Sequence, residues 1–169
     1  MRWIIDGYNV IRRDPDLAGV EATGLPAGRA ALLRLVAGAA QTSGDTFTVV
    51  FDGAPGLGEG AGGRVETIYA RPPEKADDVI VALARRFAAD AIIVSSDRAV
   101  SDGARRAGAT AVSAERFVAA IDAAGDDAEP DHDDDDDAPA RTKRGNPRRT
   151  SADERAARRA LRRLSGSRP

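Results

Sequence analysis

Apolar and β-branched residues concentrate in four short runs, Trp3 to Asp6, Thr46 to Asp52, Val65 to Ala70 and Ala91 to Ser95, with a weaker fifth at Thr110 to Ser113. Ile92-Ile93-Val94 shows no polar alternation, the pattern of a strand in a parallel sheet covered on both faces. Between the runs the apolar spacing is helical. Leu32, Leu33, Val36 and Ala40 share one face, and Val79, Leu83 and Phe87 do the same in the segment from Glu74 to Ala89. Two more helices are expected at Arg98 to Ala107 and Ala114 to Ala124, with Ser113 capping the latter. The order β-α-β-β-α-β-α-β-α predicts a three-layer α/β domain around a central, mostly parallel sheet. One step resists this reading. Only the glycine-rich stretch Gly53 to Gly63 joins the second strand to the third, so a crossover there needs an irregular loop or a short helix that the pattern does not reveal.

Beyond Gly125 the pattern changes. The formal net charge of -2 conceals three blocks: residues 1–125 carry 14 basic and 16 acidic groups, 126–140 carry 0 and 9, and 141–169 carry 11 and 2. All seven Phe, Trp and Tyr residues fall in the first block, which is therefore expected to hold the core, as a single domain over 1–125. The acidic run 126–140 is too poor in apolar residues to offset its ordering entropy, and a disordered linker is expected. The basic tail 141–169 contains Ser151-Ala152-Asp153-Glu154, a capping-box sequence opening a short arginine-rich helix from Arg155 to Leu164. Leu161 and Leu164 alone make a stripe too thin for firm docking.

Composition removes several classes of function. With no cysteine there is no disulfide framework, thiolate zinc site or Cys nucleophile, and the lone His132 excludes a multi-histidine metal site. His132 sits inside the acidic run, which reads as a solvated segment that attracts cations diffusely. Met1-Arg2-Trp3-Ile4-Ile5-Asp6 meets a charge after three apolar residues, so neither a signal peptide nor a membrane span is expected, and a cytoplasmic location is the default. Gly58 to Gly63 fits G-x-G-x-x-G, but a strand pattern follows it where a dinucleotide fingerprint needs a helix. A flexible loop covering a site is the preferred reading. The phosphate-loop pattern G-x-x-x-x-G-K-[ST] does not occur.

What remains is the placement of carboxylates. Asp6, Asp52 and Asp97 each follow an apolar strand, and Asp77-Asp78 stand near the start of a helix. In an open parallel sheet these positions converge on the carboxyl edge, where ligands bind. Each can also serve as a helix cap or turn residue. Gathered together, they would raise one another's pKa values unless a cation neutralised them. An oxygen-only donor set favours Mg²⁺ or Mn²⁺, ions suited to phosphodiester hydrolysis.

Ile4-Ile5-Asp6-Gly7-Tyr8-Asn9-Val10-Ile11, Val49-Val50-Phe51-Asp52-Gly53, Glu74-Lys75-Ala76-Asp77-Asp78-Val79-Ile80 and Val94-Ser95-Ser96-Asp97-Arg98 together resemble the YacP-like branch of the NYN domains, which belong to the PIN-like nucleases. The resemblance runs in order over about residues 2 to 120 and leaves the tail outside. It implies a PIN-like fold and a metal-dependent endoribonuclease. By position Asp6 matches the first-strand metal ligand, and Asn9 matches an asparagine that supports the site or contacts substrate. Asp77 and Asp78 match the acidic pair on the central helix, either of which serves as ligand, and Asp97 matches the acid after the fourth strand. Asp52 falls at the rim. A further acid one turn on is replaced by Ser101, leaving Asp102, one residue later, either at the site or on a solvated face.

The mechanism expected from that resemblance has Asp6, Asp97 and one of Asp77 and Asp78 holding the ion, while the remaining carboxylate helps water attack phosphorus in line, giving 5′-phosphate and 3′-hydroxyl ends. Ser95 and Ser96 either contact phosphate, hold Asp97 or cap the next helix. Tyr8 either stacks on a base or is a half-buried core residue. Arg12, Arg13, Arg71, Lys75 and Arg98 flank the acidic edge and are placed either for phosphate contact or as solvated charges. RNA is the expected partner, whether messenger, ribosomal or transfer, and the basic tail is read as an arm for RNA, for a ribosome or other ribonucleoprotein, or as a cover folding back over the domain. The rival readings are a catalytically silent RNA-binding module and, less favoured, a phosphatase. Asp6-Gly7-Tyr8 lacks the second Asp of the D-x-D phosphatase pattern.

Overall fold

A computed structural model of the chain describes residues 1–55, 62–125 and 151–166. In chain order the elements are β1 (Arg2–Asp6), α1 (Gly7–Arg13), α2 (Pro15–Glu21), α3 (Leu25–Ser43), β2 (Thr46–Asp52), β3 (Val65–Ala70), α4 (Ala76–Phe87), a 3-10 turn (Ala88–Asp90), β4 (Ala91–Val94), α5 (Arg98–Arg106), β5 (Thr110–Val112), α6 (Ala114–Gly125) and α7 (Ala152–Leu164). The five strands form one sheet in the order β3-β2-β1-β4-β5. Every pairing is parallel, so the sheet is wholly rather than mostly parallel.

The period-two alternation of the strands divides the core between the two faces. Trp3, Ile5, Phe47, Val49, Phe51 and Val94 point to one side, where Leu32, Val36, Phe117 and Ile121 meet them. Ile4, Val50 and Ile93 point to the other, against Ile80 and Ala84 of α4 and Val100 and Ala104 of α5. The α4 stripe is centred on Ala76, Ile80 and Ala84, with Val79, Leu83 and Phe87 only partly buried on its flank.

Two features depart from the sequence reading, and the connection it left open is described in part. α1 and α2 were not foreseen: each is only seven residues long, but Asp6 caps the first, and Asp14 accepts the Leu17 amide at 2.8 Å to cap the second, with Pro15 in its first turn. Gly7 lets α1 start tight against β2, because a Cβ there would run into the Phe51 ring. The step from β2 to β3 is made between parallel neighbours with no helix among the described residues of the connection, and residues 56–61 lie outside the described set.

The second departure concerns α7, whose leucine stripe alone reads as too thin to dock firmly. Ala157, Ala160 and Leu164 are fully buried in the same core as Trp3 and Phe117, and α7 packs on α6, β5 and α3. Two alanines supply the contact that a count of leucines overlooks. Ser151 accepts the Glu154 amide at 3.1 Å as its capping sequence requires, and Asp153 ties the helix start to Arg105 at 2.9 Å and to the Ala111 amide at 3.2 Å. The core thus extends beyond residue 125. The expected disorder of 126–140, the solvated setting of His132 and the basic stretch 142–149 all fall outside the described residues. Among the described residues no helix is long and apolar enough to cross a membrane.

Candidate active site

The strand order places the first crossover, β1 to β2, on one side of β1 and the later return, β3 to β4, on the other. Such a reversal opens a crevice at the carboxyl ends of the strands. There an open cleft of about 270 Å³ is lined by Asp6, Tyr8, Asn9, Arg12, Arg13, Asp52, Asp77 and Asp97. Four carboxylates from β1, β2, the start of α4 and the turn after β4 therefore face one space, as their sequence positions predicted.

Hydrogen bonds fix these groups across long sequence separations. Asp6 ends β1, only 7% exposed; its Oδ1 accepts the Asn9 amide at 3.3 Å and its Oδ2 accepts the Ser95 hydroxyl at 2.9 Å. The same Ser95 oxygen accepts the Asp97 amide at 3.1 Å, so one buried hydroxyl joins the two carboxylate-bearing turns. Asp97 caps α5, its Oδ1 accepting the amides of Ala99 and Val100 at 2.7 and 3.1 Å. Asn9 Oδ1 accepts the Ser96 amide at 2.7 Å, which pins the turn after β4 to the first helix. At Asp97 capping and facing the cleft are compatible, because both cap bonds go to Oδ1 and leave Oδ2.

Asp52 has a task that sequence reasoning missed. Its Oδ1 accepts the amide of Ala76, the first residue of α4, at 2.8 Å, whereas Lys75 at the cap position makes no side-chain cap. Asp52 thereby holds the helix that carries Asp77. The contact spans 24 residues, and no local pattern announces it.

Burial pushes the Asp6 carboxyl up to about 6, against the bonds from Ser95 and Asn9 that lower it, and the charges of Asp77 and Asp52 add to the rise. Asp77 is also raised, first by loss of water and then by Asp97, Asp52 and Asp78. Such mutual repulsion favours either a proton or a cation. Among the described residues no three acidic side chains already stand as a ready-made metal cage.

The remaining predicted residues separate into those in the cleft and those outside it. Tyr8 lies in it, half-buried, edge-on to Phe51 at 5.3 Å, with its hydroxyl accepting from Arg29 at 3.1 Å and Arg12 over its ring at 5.3 Å. Asp78 does not line the cleft, unlike Asp77. Ser96 turns away toward α6, where its hydroxyl bonds Glu115 at 2.6 Å and accepts the Ala114 amide at 3.0 Å. That bond holds the Glu115 carboxyl below its ordinary range. Arg98 is 95% exposed and leans toward Asp102 at 3.7 Å, and Asp102 also pairs with Arg105 at 3.2 Å, which settles Asp102 on a solvated helix face. Ser101, at the position of the missing acid, donates to the Ser95 carbonyl at 3.0 Å.

Comparison with known proteins gives a single direction. The sequence model of the YacP-like NYN domain matches residues 3–165, a span that includes α7. Two crystal structures of Rae1 (YacP) from Bacillus subtilis, one of them of a Trp-to-Leu mutant, are similar, each at 28% sequence identity and a TM-score of 0.60, over 72% of this chain and 75–76% of theirs. No curated protein matched the sequence.

Proposed function

Since the chain belongs to the YacP-like NYN domain family, a branch of the PIN-like nucleases, we propose that it is a divalent-metal-dependent endoribonuclease leaving 5′-phosphate and 3′-hydroxyl ends. The observation that carries this reading is the convergence of Asp6, Asp52, Asp77 and Asp97 on one cleft, with Asp6 and Asp77 raised by burial and by their neighbours. A module that only bound RNA would have no use for carboxylates where phosphate must approach.

The donor set suits a hard ion. Asp6 and Asp97, linked through Ser95, would hold Mg²⁺ or Mn²⁺, and Mg²⁺ commonly takes one or two carboxylates while keeping several waters, consistent with the lack of a three-carboxylate cage among the described residues. When bound, the ion supplies Lewis-acid stabilisation of the phosphate and of the leaving oxygen. The chain supplies the rest. Asp77, made more basic by burial and then by its acidic neighbours, accepts the proton of the attacking water. Asp52 keeps Asp77 in place through the Ala76 amide. Arg12 and Arg13 line the cleft, where they contact the substrate phosphates, and Tyr8 offers its ring to a base.

The test is incubation of the full chain with mixed cellular RNA, with Mn²⁺ and with chelator, beside Asp6→Asn, followed by mapping of new 5′ ends. The expected result is metal-dependent cuts bearing 5′-phosphate that the variant does not make. No cleavage by the parent protein under any metal condition would favour the silent binding module.

A further inference from the structure

The two edges of the sheet differ in charge. Opposite the acidic cleft, where the strands begin, α7 crosses the sheet: Ala156 and Arg159 join Arg2, Thr46 and Thr110 around a cavity of about 610 Å³. Arg163 reaches the buried Asp45, which precedes β2, at 3.4 Å. The last turn of α4, with Arg85 and Arg86, ends at this same edge, as the 4.1 Å approach of Arg2 to the Phe87 ring shows.

Along α7 the buried Ala157, Ala160 and Leu164 take one side, and Arg158, Arg159, Arg162 and Arg163 form an exposed stripe at i, i+1, i+4 and i+5 on the other. Few acids answer this stripe. Asp45 is occupied by the N-terminal amine at 2.6 Å and by Trp3 Nε1 at 3.0 Å as well as by Arg163. Arg158 has Glu154 at 3.7 Å, and Asp90 lines the cavity. Among the described residues, Arg159 and Arg162 have no acidic partner.

We propose that this stripe is a second, non-catalytic binding surface for the phosphate backbone of single-stranded RNA, an inference that rests on the ribonuclease reading. The carboxylates of the cleft repel phosphate, with Arg12 and Arg13 there to oppose them, so further affinity for RNA has to come from elsewhere on the molecule. Guanidinium forks match phosphate oxygens two at a time, and neutralising phosphates releases counterions. Because α7 is packed into the core, its arginines are held in register before RNA arrives, and little ordering cost remains at binding. A five-residue strand such as β1 spans roughly 17 Å. An RNA touching both edges must therefore be long and flexible enough to pass round the domain, whereas a short oligonucleotide occupies one edge at a time.

The experiment uses the full chain in chelator and fluorescence anisotropy with single-stranded RNAs of about 6 and about 30 nucleotides across a salt series. The paired substitution Arg159→Gln and Arg162→Gln is expected to weaken binding of the longer RNA about tenfold and to reduce its salt slope by about 1.4, roughly 0.7 for each lost phosphate contact. The melting temperature should stay as in the parent, the parent should bind the short RNA more weakly than the longer one, and the pair Arg159→Lys and Arg162→Lys should keep the salt slope but only part of the affinity, because lysine keeps the charge and loses the fork. Unchanged affinity and slope in the glutamine variant, or a parent that does not bind the longer RNA, would each overturn the proposal. Binding is read without cleavage, so a failure of the catalytic reading is distinguishable: it would abolish cutting and leave the length-dependent affinity intact.

Discussion

Asp6 illustrates how one side chain serves both fold and chemistry. Its first oxygen caps α1 and its second takes the Ser95 hydroxyl, in a setting that lifts its pKa from the ordinary 3.8 to about 6. Between those two values the native protein holds a proton that the unfolded chain has released. Stability is therefore greatest below the lower value, falls as pH rises toward 6 and levels off above it. The raised carboxyl corresponds to at most about 3 kcal/mol. Urea unfolding in chelator should show the parent losing a large part of that amount from about pH 4 to pH 7, with Asp6→Asn much flatter. Identical pH slopes in the two proteins would remove Asp6 as the source. Ser95 lowers the Asp6 pKa, so Ser95→Ala should move the rising limb of the cleavage pH profile upward, slow cleavage on the order of tenfold, and cost about 1–2 kcal/mol for the lost buried bonds. An unshifted profile would reduce Ser95 to a purely structural role. The carboxylate positions were legible in the sequence because each follows an apolar run or opens a helix. The Ser95 bridge was not, since it joins residues 89 apart that only the fold brings together.

Among the elements, the strands were legible and two kinds of helix were not. Unbroken apolar runs of the type Ile92-Ile93-Val94 identified the parallel sheet directly. α1 offers only Val10 and Ile11 as buried apolar anchors and is set instead by its Asp6 cap, while α7 docks through alanines, whose small side chains fit against α6 and β5 without a strong periodic signal. Leu164, 1% exposed, closes that contact. Leu164→Ala should lower unfolding stability by about 2–4 kcal/mol, and a loss below about 0.5 kcal/mol, the range of ordinary surface substitutions, would contradict docking. At the other edge Asp52 acts as a cap supplied from a different element. Asp52→Ala should cost about 1 kcal/mol and slow cleavage through displacement of Asp77, whereas Asp52→Asn keeps an acceptor for Ala76 and should retain most of the stability. Equal behaviour of the two variants in denaturation would count against the capping role.

At the scale of the molecule, the near-neutral net charge of -2 resolves into opposed edges: carboxylates where the strands end and arginines where they begin. The sequence pattern placed the basic block in a separate tail, because its charge stood out and its alanine contacts did not. In the fold, its helix is part of the domain that carries the cleft, and the family match through residue 165 agrees with that. On the proposed mechanism the cleft cuts RNA only with a divalent ion held by its carboxylates. The most direct measurement is the initial rate of cleavage of one defined RNA as Mg²⁺ or Mn²⁺ is titrated, for the parent and for Asp6→Asn of matched folding. The parent should show a saturable metal-dependent rate that chelator abolishes, and the variant should fall by at least about a thousandfold, about 4 kcal/mol of barrier. A variant that cuts at the parent's rate, or a parent that cuts equally well in chelator, would rule out a metal-dependent cleft.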